Sequence, residues 1–205
     1  MAQNVAIATR KIINALYNYG NWDKAALSNL RSASSIDSPR AMSVLPTFMM
    51  YMGEDMLSKN GKPTFAETAI YASVRLFAIH QQSKDKLVFG PSGADSDSGG
   101  LSYFEILREL RKNPETRDRL DKRVQPILSS TSFPSIVNSL NQLTGMIRSS
   151  GLTTPVDYAQ LAQDLFRFQL SFESANNVRF RWGQAYYRFF PENNVAKTEG
   201  ETKND

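Results

Sequence analysis

Residues 64–82 read TFAETAIYASVRLFAIHQQ, and this stretch decides the fold. Thr64 and Glu67 form a capping box, in which each side chain accepts the other residue's backbone N–H, and this predicts a helix that begins at Phe65. Apolar side chains occupy almost every face of that helix between residues 65 and 79. Because surface helices are apolar along one stripe only, we expect this helix to be buried at the centre of the protein.

Helical signals continue on both sides of this stretch. Apolar residues repeat at i, i+4, i+7 and i+11 starting from Ile136, Leu161 and Val178, the spacing of one buried helix face. Thr154 with Asp157 is a weaker capping box that predicts a helix beginning at Pro155. The other predicted helices span 4–18, 22–33, 39–57 (which Pro46 either kinks or starts late), 103–112, 114–123, 134–149, 155–173 and 176–190.

These patterns predict an all-α protein of about eight or nine helices in two packed helical bundles. The proposed division is an N-terminal bundle over 1–95 and a C-terminal bundle over 96–191. The polar loop 83–100 is expected to be a mobile insertion near their boundary. Residues 192–205 contain almost no apolar side chains and are expected to form a disordered polar tail.

The composition excludes several kinds of chemistry. The 205 residues include no cysteine and one histidine, which rules out disulfides, a cysteine nucleophile and a site with several histidine ligands. His80 is interpreted as a packing histidine, and the loop at Asp95 lacks the glutamate that an EF-hand needs at its twelfth position. We therefore expect no enzyme activity, no metal and no cofactor. Without a window of about 18 apolar residues, no membrane span is expected.

Basic residues are concentrated in the body of the chain. The net charge is +4, but the tail 192–205 holds two basic and four acidic residues, so residues 1–191 carry a net charge of +6. Residues 105–123 fit two interpretations equally well: a basic surface, or a solvent-exposed helix face with local salt bridges. The second is possible because two acid–base pairs, Glu115 with Arg119 and Asp118 with Lys122, are spaced i, i+4.

The last predicted helix is more clearly basic. The stretch between Ala175 and Pro191 contains no acidic residue, but it contains Arg179, Arg181 and Arg188. Unneutralised arginines near aromatic side chains suit contact with a phosphate backbone. The alternative is a surface stripe with acidic partners that are distant in sequence. A methionine run between Met42 and Met56 is interpreted either as core or as an adaptable surface for a protein partner.

Six segments between about Trp22 and Arg188 read WDKAALSNLRSA, LFAIHQQS, LSYFEILREL, RDRLDKRVQPIL, LTGMIRSSGLTTPVDYAQLAQDL and VRFRWGQAYYR. In order and spacing they resemble the CasB-type small subunit of the type I-E CRISPR Cascade complex. The resemblance implies a non-catalytic, all-α, cytoplasmic subunit that binds nucleic acid without reading sequence and stabilises opened target DNA. The partners it implies are CRISPR RNA, both strands of the target DNA, the backbone and large subunits of Cascade, and a second copy of the chain arranged head to tail.

The resemblance extends unevenly to single residues. Lys122 and Arg123 match a basic pair of the family, whereas Arg31 is followed by Ser32 where the family often has a second arginine. The complete set of predicted nucleic-acid-binding residues is Arg31, Arg108, Arg119, Lys122, Arg123, Arg148, Arg179, Arg181 and Arg188. The alternative function is that of an all-α scaffold or adaptor that binds protein only.

Overall fold

The computed structural model describes residues 1–93 and 99–188. This part of the chain contains nine α-helices and no strand, which confirms the predicted all-α fold. Three short 3-10 turns occur at 18–20, 41–43 and 54–56. The helices are α1 Ala2–Tyr17, α2 Lys24–Ser32, α3 Leu45–Tyr51, α4 Phe65–His80, α5 Tyr103–Arg111, α6 Pro114–Ser129, α7 Phe133–Ser149, α8 Tyr158–Phe168 and α9 Phe172–Tyr187.

Helix α4 is the centre of the core, as its sequence predicts. The Thr64 hydroxyl accepts from the Glu67 backbone N–H at 3.0 Å, and the Glu67 carboxylate accepts from the Thr64 N–H at 2.7 Å. Ile70, Leu76 and Phe77 are fully buried. Helices α1, α2, α7 and α8 all pack against α4, so helices from both ends of the chain share one hydrophobic core. The division into bundles over 1–95 and 96–191 stays a prediction.

Four predicted helices differ from the structure. The helix predicted at 114–123 extends to Ser129 as α6, and the one predicted at 176–190 spans Phe172–Tyr187 as α9. Residues 39–57 form turns around the seven-residue helix α3, which has Pro46 in its first turn, so the proline starts the helix late. The predicted helix at 155–173 is wrong at both ends, because Asp157 is itself the N-cap and accepts from the Gln160 N–H at 2.8 Å. The shorter α8 then ends at Phe168, and α9 begins at Phe172.

The loop after α4 is fixed where the structure describes it. The Val156 N–H donates to the Val88 carbonyl at 2.9 Å, and Phe89 is buried. The Asp157 carboxylate accepts from both the N–H and the hydroxyl of Ser92. The prediction of a mobile insertion is therefore wrong for residues 86–92. Their apolar side chains pack into the protein, and their backbone groups form hydrogen bonds with the segment before α8. The tail 192–205 lies outside the described residues.

Within 1–93 and 99–188, no helix is long and apolar enough to cross a membrane.

Candidate nucleic-acid interface

Helix α7 supplies the centre of the candidate interface. It buries Ile136, Leu140 and Ile147, which leaves its opposite face to solvent, where Asn138 and Gln142 are exposed. No acidic residue occurs between positions 122 and 156. The outward face of α7 is therefore polar without being negative, a surface that does not repel phosphate.

Arginines from two neighbouring helices are held against this face by neutral amides. The Arg75 guanidinium of α4 donates to the Asn141 side-chain oxygen at 3.2 Å. The Arg123 guanidinium of α6 donates to the Gln142 side-chain oxygen. An amide orients a guanidinium without cancelling its charge, whereas a carboxylate does both. Both arginines are partly exposed and have no acidic partner among the described residues, although burial lowers the pKa of Arg75.

A second group of cations gathers where α2, α4 and α7 end. Arg148 donates to the Gln82 side-chain oxygen. Burial, and then the charge of Arg148, lower the pKa of Arg31, so these two guanidinium groups lie close enough to repel each other. Within the described residues, neither Arg31 nor Arg148 forms a salt bridge, and Lys84 forms none either. A site that holds like charges together without ion pairs is suited to an anionic ligand.

The pKa of the buried His80 side chain responds to the same concentration of positive charge. Burial, followed by the charges of Lys84 and Arg148, lowers the pKa of His80 to about 4. Its Nδ1 lies 3.0 Å from the hydroxyl oxygen of Tyr158, and the side chain is buried. His80 is a packing histidine, as predicted, and it underlies the cationic cluster without adding to it at neutral pH.

We name this surface the α7 face and define it by five cations. Two of them, Arg75 and Lys84, were missed by the sequence analysis. Arg75 is the only charged residue between positions 68 and 82, but its apolar surroundings indicated a core helix. The acid-free stretch 122–156 is the signal that points to α7. The α7 face consists of Arg31, Arg75, Lys84, Arg123 and Arg148.

Helix α6 exposes two more of the predicted residues. Arg119 and Lys122 are exposed, and the salt bridges found in the described part of the chain include neither. The i, i+4 pairs that the sequence offered for them do not form, so neither cation is held in a direct ion pair. Arg108 differs, because its side chain is 11% exposed and lies 3.7 Å from the Glu109 carboxylate.

The predicted arginines of helix α9 differ in their partners, because one bonds to a carboxylate and another only to neutral groups. Arg181 donates to Asp164 at 2.8 Å, and this carboxylate also accepts from the Trp182 indole N–H at 2.9 Å. The expectation of an unneutralised arginine is wrong for Arg181, because its acidic partner comes from α8. Arg179 donates to the Ser130 carbonyl at 2.7 Å and to Asn176, so it is held without a carboxylate. Arg188 is exposed at the end of α9.

The structure thus separates the nine predicted residues. Arg31 and Arg148 lie close together, and Arg123 contacts α7 through Gln142. Arg119 and Lys122 lie exposed on α6, and α9 with its C-cap carries the rest except Arg108. Within the described ranges, no group of three or more histidine, cysteine or acidic side chains is arranged to hold a metal ion.

Comparison with known proteins adds a family and a fold. A family model described as CRISPR-associated protein Cse2 matches residues 26–187. Among solved structures, the chain is similar to one described as the crystal structure of CasB from Thermobifida fusca, with 22% sequence identity and a TM-score of 0.61. The match covers 91% of this chain and 98% of that one, and at this identity it shows a shared fold. A search of curated protein sequences finds no significant match.

Proposed function

Because the chain belongs to the Cse2 family of CRISPR-associated proteins, we propose that it holds opened target DNA inside a type I-E Cascade complex. It would do so in the cytoplasm, by binding the phosphate backbone without reading base sequence. The Cse2 family provides a structural subunit of Cascade and not an enzyme, in agreement with the prediction of a non-catalytic protein.

One observation carries this proposal: three of the five cations of the α7 face are oriented by amides rather than by carboxylates. Arg75 and Arg123 bond to Asn141 and Gln142, and Arg148 bonds to Gln82. A phosphate can approach these guanidinium groups without displacing an acidic partner. Each such contact releases counterions from the nucleic acid, which supplies affinity that does not depend on sequence.

The ligand that such cations would contact is a nucleic-acid backbone, which presents one negative charge per nucleotide. The target strand paired with CRISPR RNA and the displaced strand both present such a backbone.

The proposed protein partners are the backbone and large subunits of Cascade and a second copy of the chain. Exposed methionines offer surface for such contacts, since Met42 is 48%, Met49 41% and Met50 74% exposed. Flexible, polarisable methionine side chains adapt to irregular partner surfaces. The same exposure supports the alternative function, a scaffold that binds protein only, which predicts assembly insensitive to salt and no binding of single-stranded DNA.

The test compares two triple variants of the full chain in assembled Cascade. The first, Arg31→Glu/Arg123→Glu/Arg148→Glu, reverses charge on the α7 face. The matched control, Arg10→Glu/Lys59→Glu/Lys62→Glu, changes the net charge equally at exposed positions away from that face. We expect opened target DNA to dissociate at least tenfold faster from the first variant than from the control, measured with labelled DNA. Equal dissociation rates would assign the function to another surface.

A further inference from the structure

A groove runs between the end of α6 and the outer face of α9. Its volume is about 700 Å³, within the range of ligand-binding clefts. The described residues that line it include aromatic, amide and guanidinium side chains but no carboxylate. They are Leu128, Ser129, Asn176, Arg179, Phe180, Gly183, Gln184 and Tyr187.

Aromatic rings stand exposed along this groove. Phe172 is 70% exposed, Phe180 68% and Tyr187 43%. Positions 172, 180 and 187 follow each other by eight and seven residues, so they lie on one face of α9. Large apolar side chains grouped on a surface mark a binding site more often than chance.

The groove also holds a fixed positive charge. The Arg179 guanidinium lies 6.0 Å from the centre of the Phe172 ring, and it donates to the Ser130 carbonyl at 2.7 Å. These contacts fix its position, and no carboxylate in the described residues pairs with it. An aromatic surface with an unneutralised arginine matches a partner that is both planar and anionic.

The gap between two of the rings has the length of a short base stack. Gly183 lies between Phe180 and Tyr187, and a Cβ there would contact only the Leu128 side chain, at 3.7 Å. The seven residues from Phe180 to Tyr187 span about 10 Å along the helix. Three stacking steps of about 3.4 Å give the same length along the helix, so this stretch of α9 is long enough for a short base stack. Phe180 is the freer platform, because the Arg111 guanidinium lies over the Tyr187 ring at 5.1 Å.

We propose that this groove stacks unpaired bases of a single nucleic-acid strand, with Phe180 as the principal platform and Arg179 contacting a phosphate. This inference rests on the proposed function, because it names the form of nucleic acid that a second surface of the same subunit takes. Bases inside a duplex are covered by their neighbours, so the groove selects the unpaired strand, whereas the α7 face accepts any phosphate backbone. Asn176 and Gln184 line the groove and offer hydrogen bonds to base edges.

The experiment uses the full chain and a labelled 20-nucleotide DNA strand that contains 2-aminopurine, a base whose fluorescence falls when it stacks. Phe180→Ala removes the platform, and Phe180→Tyr keeps a ring at the same position. We expect Phe180→Ala to weaken single-strand binding about tenfold and to abolish the 2-aminopurine quenching. Phe180→Tyr is expected to retain both, and neither variant should change duplex binding or the salt dependence.

The outcomes separate this inference from the proposed function. If the wild-type chain binds the strand and Phe180→Ala binds and quenches equally well, the stacking site is refuted and the α7 face stands. If Phe180→Ala binds DNA normally but fails to enter Cascade, the groove is a protein contact and the inference is again refuted. If the α7-face triple variant retains target DNA like its control, the proposed function fails whatever Phe180 does. Since Phe180 is exposed, the melting temperature of its variants should stay unchanged.

Discussion

Salt dependence gives the sharpest quantitative prediction for the α7 face. Five cations bound to single-strand phosphates predict that log K falls by about 3.5 per tenfold rise in salt, at about 0.7 per contact. The affinity should then drop about elevenfold between about 100 and 200 mM salt. We propose Arg123→Gln/Arg148→Gln as the perturbation, because glutamine keeps a polar side chain beside the orienting amides and removes two charges.

The double variant leaves three of the five contacts. Its slope should fall to about 2.1, so the same salt step should cost only about fourfold in affinity. Fluorescence anisotropy of a labelled single strand, titrated with the full chain at four or five salt concentrations, measures both slopes. The control is Lys59→Gln/Lys62→Gln, which removes two exposed charges outside the face. A double variant with the wild-type slope, or a control with an equally reduced one, would refute the assignment of phosphate contacts to the α7 face.

Three further predictions concern the fold that supports these surfaces. Asp164→Ala leaves the Gln160, Arg181 and Trp182 donors without their shared buried acceptor. This should lower the free energy of unfolding by about 3 kcal/mol, as measured by urea denaturation. A loss below about 1 kcal/mol would contradict it. The pKa of His80 is about 4 when folded and 6.5 in the reference state, so the unfolded chain binds more protons between these values. Stability should therefore fall by up to about 3 kcal/mol as pH drops from 6.5 towards 4, and a His80→Phe variant with the same pH slope would disprove that origin. Gly100→Ala would place a Cβ 2.3 Å from the Gly90 carbonyl oxygen and should lower the melting temperature. An unchanged melting temperature would show that the backbone at Gly90 shifts to accommodate the methyl group, contrary to this prediction.

The helical core was predictable because its signals are local. The capping box at Thr64, the apolar spacing from Ile136 and the proline at position 114 each act within about three helical turns. The start of α8 was missed because Thr154 and Asp157 both fit an N-cap by type. The choice between them is made by backbone hydrogen bonds to residues distant in sequence: the Val156 N–H donates to the Val88 carbonyl, and the Asp157 N–H donates to the Leu101 carbonyl.

The candidate interface was predictable only in part for the same reason. Charge counts along one helix identified Arg123, but they could not show that Arg181 meets Asp164 of another helix at 2.8 Å. Nor could they show that Arg75, in an apolar run, reaches Asn141 of α7. Whether an arginine is neutralised depends on which helices the fold brings together, and sequence spacing reports that only within one helix.

Photo-crosslinking inside Cascade tests the central claim most directly. A target DNA with 4-thiothymidine along both strands is opened by the complex and irradiated, and the crosslinked peptides of this subunit are identified by mass spectrometry. We expect crosslinks to peptides that contain the α7 face, chiefly around Arg123 and residues 141–148. Crosslinks confined to other regions, such as the exposed methionines of α3, with none on α7, would contradict it.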